Sequence, residues 1–252
     1  MVRTVRFWVF LILLVVAAAA AVFMFYLPVP RPVEEPEYRE IVRDLRFTGT
    51  ENLKEWDEKR LAKNSTRYAI EESEGRSVLK ADSENSASGL YLKERLSFRN
   101  RPYVKWEWKV LKFPARNNAE SIETKSEFDF AARLYVIFHS RAIMKTRAIQ
   151  YVWAEKLPEG TWSKSPYTGN VRILVLESGG SGEWKTEERD IAKDYSDLFG
   201  EKLDKDVDAI GFMTDSDSTG TKAEALLAYV DLGYLPSADE GSSEKQEGSD
   251  FK

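Results

Sequence analysis

Cysteine is absent and histidine occurs once, at His139. Those absences exclude disulfide frameworks, thiol nucleophiles, iron–sulfur clusters and zinc sites built from Cys or His. A metal in this chain would need oxygen ligands, which points to calcium, and no other cofactor is implied. Positive charge is also in short supply, with 37 Lys and Arg against 42 Asp and Glu and a formal charge of -5. Nothing here supplies the basic field that a phosphate backbone needs, so nucleic acid is excluded as a partner. There is no G-x-S-x-G nucleophile elbow, and one histidine with no placed nucleophile makes no triad. His139 therefore reads as a surface residue.

What is present is unevenly distributed. Phe7 to Leu27 is a run of 21 apolar residues with no charge, behind a head carrying Arg3 and Arg6. A signal-peptide core runs about 7–15 residues, whereas about 20 are needed to cross a bilayer as a helix. Length thus favours a retained transmembrane anchor over a cleaved signal. The alanine run Ala17 to Ala21 offers a small-residue cleavage motif, but membrane-type residues continue to Leu27. A short head stays inside, and long downstream domains cross largely regardless of charge. The expectation is a single-pass protein of the cytoplasmic membrane whose body faces the periplasm or the exterior.

The organisation that follows is a basic head (1–6), an anchor or uncleaved signal (7–27), a spacer (28–39) with Pro28, Pro30, Pro32 and Pro36, a folded unit (40–235) and an acidic tail (236–252). The tail is Ser, Gly, Glu and Lys with little to bury, so it is expected to be disordered. No internal repeat is visible, and nothing fixes an oligomeric state.

Within the folded unit the dominant period is two. In Val104 to Val110 every even position is apolar and every odd one charged, the pattern of a strand with one wet face. Phe128 to Phe138 repeats it, with Phe128, Phe130, Ala132, Leu134, Val136 and Phe138 on one side and Asp129, Arg133 and Tyr135 on the other. Further strands are expected at Thr66–Ile70, Ser77–Ala81, Ala148–Ala154, Val171–Glu177, Val207–Met213 and Leu226–Leu235, and a helix only at Ile191–Phe199. The expected fold is mainly all-β: an antiparallel sandwich or jelly roll with one short helix.

Three groups of residues suggest chemistry. Asp215, Asp217 and Thr219 have the 1, 3, 5 spacing of a calcium loop, with Gly220 at position six. Leu226 occupies the twelfth position, where an EF-hand needs a bidentate glutamate, so an EF-hand is excluded; Asx-turns closing a loop are the plainer reading. The same segment resembles the DxDxT opening of haloacid-dehalogenase phosphatases, but only about 30 residues follow it, too few for that fold. Asp129, Arg133 and Tyr135 are candidates to line a groove that takes hydroxyls and acidic groups, against the alternative of a surface salt bridge. Tyr151, Trp153 and Trp162, with Tyr167 nearby, are candidates for an aromatic platform on which sugar rings stack, against the alternative of core packing. Trp106 and Trp108 alternate with charges and read as core. Asn64-Ser65-Thr66 is a glycosylation sequon that matters only in a glycosylating host.

Five stretches taken in order, Ser83–Leu90, Trp106–Lys109, Asp129–Tyr135, Tyr151–Ala154 and Met213–Gly220, resemble the bacterial domain-of-unknown-function family 3047 over about Phe47 to Leu235. The layout is more distantly similar to the galactose-binding-like jelly rolls of carbohydrate-binding modules, whose closing strand Ala228–Leu232 resembles. The first likeness implies a fold without an activity. The second implies binding of a glycan or another cell-envelope polymer, which becomes the leading functional expectation. Two others stand beside it: a glycan hydrolase or lyase using carboxylates such as Asp129, Asp215 and Asp217, and an envelope docking or assembly factor with no small ligand.

Overall fold

The structure, a computed structural model, describes residues 40–142 and 145–236. The expected head, anchor and spacer, and the acidic tail beyond Pro236, lie outside the described residues. In chain order the elements are β1 (Glu40–Arg46), β2 (Asp57–Arg60), β3 (Arg67–Ser73), β4 (Arg76–Glu84), β5 (Ala87–Leu96), β6 (Pro102–Lys112), β7 (Ala132–Phe138), β8 (Ala148–Ala154), β9 (Trp162–Lys164), β10 (Val171–Ser178), β11 (Trp184–Asp190), α1 (Ile191–Phe199), β12 (Val207–Asp215) and β13 (Lys222–Tyr234). No helix among the described residues is long and apolar enough to cross a membrane.

The strands form two sheets. One runs β11-β6-β13-β4-β3, with β1 added beside β13, and the other runs β2-β5-β12-β7-β8-β10-β9. The 13 residues of β13 serve two neighbours on one side, β4 along Lys222–Leu227 and β1 along Tyr229–Tyr234, while β6 takes the other side. All pairs are antiparallel except β8 with β10, which run parallel. The wholly antiparallel sandwich expected from sequence is corrected at that one place. Residues 155–170, which carry β9, make the crossover that a parallel pair requires.

The period-two pattern explains how the sheets meet. Val104, Trp106, Trp108 and Val110 of β6 are completely buried between them, as the alternation predicts. Opposite them Tyr151 and Trp153 of β8 point inward. Trp106 and Tyr151 rings lie 5.4 Å apart, and Trp108 and Trp153 rings 5.7 Å apart. Leu90, Leu134, Val136, Phe138 and Phe212 extend the same core.

β7 does not follow the expected single face. The strand begins only at Ala132. Leu134, Val136 and Phe138 enter the main core, but Phe128 and Phe130 join Ile122, Val152, Ala154, Ile173 and Val175 in a second cluster on the outer side of the seven-stranded sheet. Each residue in the irregular stretch before the strand is free of the pleat, so the alternation does not carry across it.

α1 is the helix expected from sequence. Asp190 caps its start by accepting the Lys193 N–H at 3.0 Å, and Gly200 ends it at a φ of 73°, a left-handed position that suits glycine. Ile191, Tyr195 and Leu198 are its buried stripe. At one border of the seven-stranded sheet, β2 reads Asp57-Glu58-Lys59-Arg60 and is exposed throughout.

Trp106→Ala should remove both a large buried area and the ring contact across the sheets. The expected loss of unfolding free energy is about 3–5 kcal/mol by chemical denaturation. A loss below about 1 kcal/mol would contradict this account of the core.

Candidate functional site

The outer face of the seven-stranded sheet carries a row of residues set by strand register: Tyr91 on β5, Gly211 on β12, Tyr135 on β7, Gln150 on β8 and Ile173 on β10. Beside it runs a second row with Gly89, Met213, Arg133 and Val152. The glycines decide the position of the Tyr91 ring. A Cβ at Gly211 would stand 2.6 Å from Tyr91 Cδ1, and one at Gly89 would stand 2.9 Å from Cε2. The ring therefore lies down on two strands that carry no side chain beneath it.

Tyr135 continues the surface, its ring centre 6.0 Å from that of Tyr91 at 56°, with its hydroxyl directed to Met213 Sδ at 3.6 Å. Both tyrosines are half-buried. Burial pushes both phenols above their ordinary range, so they remain neutral hydroxyls at physiological pH. Next in the row, Gln150 is almost wholly buried, and its Nε2 has no hydrogen-bond partner. The row thus offers an aromatic face and two neutral hydroxyls, while the Gln150 amide lies below the accessible surface.

Beneath the neighbouring row is a buried ionic knot. Arg133 donates from Nε to Asp215 Oδ1 at 2.9 Å and from Nη2 to Oδ2, and it also donates to the Phe128 carbonyl. The Phe130 N–H reaches Asp215 Oδ1 at 2.9 Å. The guanidinium lies over the Phe128 and Phe130 rings at 4.6 and 4.9 Å, a cation–π contact that helps to hold a charge out of water. Burial drives the Asp215 carboxyl up, to about 7, and Arg133 works against that rise. Desolvation opposes charge on Arg133, but Asp215 offsets it and the guanidinium stays protonated. With three N–H donors on its two oxygens, Asp215 is held as the anion of an ion pair.

Asp129 has a different task. Its Oδ1 accepts the Ser218 N–H at 3.2 Å, and its Oδ2 accepts the Thr219 N–H and hydroxyl, each at 2.7 Å. It ties down the loop after β12. Oxygens of Asp129, Asp215 and Asp217 come within 4.8 Å of one another. Asp129 thus joins the pair expected from spacing, and Thr219 stays beside them, its hydroxyl donating to Asp129 at 2.7 Å. A calcium ion here would compete with the N–H groups and the guanidinium that already bind Asp129 and Asp215.

Other sequence expectations divide. The groove of Asp129, Arg133 and Tyr135 is corrected: Asp129 and Arg133 are buried, and only Tyr135 reaches the surface. Tyr151 and Trp153 are wholly buried, which removes them from any surface platform. Their strand faces inward because Val152 and Ala154 supply the outer cluster. Trp162 is 52% exposed but pairs with Leu174, whose side chain packs on the main core, so it is not on the Tyr91 face. Tyr167 packs on Phe128 at 5.6 Å. His139 lies at the surface with Nδ1 3.3 Å from Asp208. In the sequon, Thr66 is buried and donates to the Thr214 carbonyl at 2.8 Å. Sequence reasoning missed Tyr91, Gly89, Gly211 and Gln150. The available signal was an aromatic residue on a strand with glycine two positions before it.

The family model described as a protein of unknown function, DUF3047, matches residues 54–231. The chain belongs to this family. No curated protein matches the DUF3047 chain in sequence. Among solved structures, the glycoside hydrolase domain of Endo-D from Streptococcus pneumoniae R6 is similar at 10% identity and a TM-score of 0.36, over 71% of this chain; the DUF3047 chain spans only 21% of that one. The family 11 carbohydrate-binding module of Clostridium thermocellum is similar at 11% identity and a TM-score of 0.40, covering 80% of this chain and 98% of its own. A Cel12A cellulase derived from Rhodothermus marinus gives 11% identity and a TM-score of 0.41, covering 71% and 96% respectively.

Arg133→Met should leave Asp215 buried without its counter-charge and cost about 3–5 kcal/mol of stability at pH 8. The Asp215 carboxyl already sits above its unfolded value of 3.8 and rises further without the guanidinium. The folded variant therefore binds more protons than its unfolded chain, and stability returns as pH falls. Urea denaturation of the variant at pH 5 and pH 8 checks the sign; equal losses would refute it.

Proposed function

We propose that this protein is a carbohydrate-binding sandwich that takes a glycan or another cell-envelope polymer on the face formed by Tyr91 and Tyr135. The observation that carries the reading is the Tyr91 ring laid over Gly89 and Gly211. A pyranose presents C–H groups that pack on such a ring and hydroxyls that pair with phenol and amide groups beside it. Tyr135 supplies a second ring and hydroxyl in the same row. Binding is favoured over hydrolysis, because the carboxylates that would cut are in the wrong state. Glycosidase pairs stand about 5–10 Å apart across an open cleft. Asp129 and Asp215 are buried and satisfied by N–H donors, with oxygens inside 4.8 Å of each other and of Asp217. A docking factor without a ligand is less well supported. The exposed large hydrophobics Ile41, Val42, Leu61, Leu111, Trp162 and Tyr167 are scattered over separate elements apart from the pair Ile41–Val42.

The apolar run Phe7–Leu27 supports the second half of the proposal: the domain is tethered to the cytoplasmic membrane and displayed on its outer side, where such polymers are found.

Affinity electrophoresis against a panel of soluble envelope and plant polysaccharides tests the first half. Tyr91→Ala and Tyr135→Ala should each weaken retardation about 10-fold or more with circular dichroism unchanged. Gly211→Ala should weaken it with every aromatic ring still present, because the ring is lifted. Retardation by no polymer, or unchanged retardation in all three variants, removes the proposal. For the tether, the full chain in cells should sediment with membranes, resist alkaline carbonate and be cut by protease added from outside. Recovery in the soluble fraction would overturn it.

A further inference from the structure

Two half-buried acids, one on each sheet, are not used by the carbohydrate face. Glu187 of β11 is paired in register with Trp106 of β6, so its side chain shares the inward direction of that indole. Glu177 belongs to β10, where alternation sends Ile173 and Val175 to the outer cluster and would send Glu177 after them. A bulge between Val175 and Glu177 adds one residue, and Glu177 comes opposite Trp153 instead. That single insertion re-aims the side chain to the sheet face that Trp153 occupies. One acid from each sheet therefore meets the other within hydrogen-bonding reach.

Two carboxyls can bond only when they hold a proton between them. The surroundings favour that state. Burial first, and then Glu177, push the Glu187 carboxyl from 4.5 to about 7, while Trp108 and Arg189 pull the other way. Arg189 is itself engaged by Asp194, which also accepts the Tyr151 hydroxyl at 2.7 Å. Lys185, on the same side of β11, faces Glu183 at 3.4 Å. Trp106 and Trp108 are wholly buried, and their indole N–H groups lack acceptors, as Glu187 Oε1 lacks a donor. β11 is the last strand of its sheet, hydrogen-bonded to β6 alone.

We propose that Glu177 and Glu187 form a proton-operated clasp between the two sheets: sharing one proton, they hold β11 against β10, and when both ionise they part and admit water to the Trp106 and Trp108 indoles. The linkage has a definite sign. Glu187 is raised above its unfolded value, so the folded state holds the extra proton, and the clasp is strongest in mild acid and weakens as pH climbs from about 4.5 through about 7.

Hydrogen exchange of the full chain, corrected for the intrinsic pH dependence of exchange, tests this directly. Protection of the amides of 184–190 should fall about 10-fold between pH 5.5 and pH 8.5, while β4 and β13 hold theirs. Glu187→Gln, which keeps a neutral donor opposite Glu177, should flatten that dependence, and Glu177→Gln should do the same if the first variant folds poorly. Carboxyl carbon chemical shifts of the unaltered protein should show a Glu titration near neutrality. Protection of 184–190 that does not change with pH, a dependence that persists in the Gln variants, or an ordinary titration of Glu187 would each overturn the clasp.

Discussion

The contact between β6 and β8 across the sandwich sets the rest of the molecule. Once Trp106 meets Tyr151 and Trp108 meets Trp153, the parity of the seven-stranded sheet is fixed. Odd positions of β8 go inward, so Gln150, Val152 and Ala154 must go outward, and register carries that choice to Tyr135 on β7 and to Tyr91 on β5. A slip of one residue would exchange the two faces along every strand. The core and the candidate binding face are thus two readings of one alternation.

This parity also explains what sequence reasoning could and could not find. The strand Val104–Val110 was legible because one of its faces is charged and only one arrangement buries the other. α1 was legible as the one stretch, Ile191–Phe199, that departs from the strand pattern and reads as a helix. β8 was harder, because both of its faces are buried and apolar residues stand on both, with Gln150 the one polar position. Tyr151 and Trp153 were therefore equally compatible with core and surface. The split between Phe128 and Leu134 was hidden by the irregular stretch before Ala132, which breaks the alternation although their spacing is even.

The candidate face was hidden for another reason. Its defining feature is the absence of side chains at Gly89 and Gly211, which are far apart in the chain and become neighbours only through pairing of β5 with β12. The ionic knot has the same origin. Arg133 and Asp215 are 82 positions apart, so composition showed that acids were available without showing that one of them was committed to a guanidinium. Local spacing gave Asp215, Asp217 and Thr219 as a set; the tertiary fold adds Asp129, which accepts the Thr219 hydroxyl.

The position of β13 has a consequence for how the protein is made. The final strand of the domain lies in the middle of its sheet, flanked by β6 on one side and by β4 and β1 on the other. Strands that leave the ribosome early have no central partner until residues 222–234 follow them. The six-stranded sheet can close only after nearly all of the domain has been synthesised, through contacts that span most of its length. A nascent chain with that dependence can pair β3 with β4 as it emerges, but it cannot complete this sheet until its last strand is free.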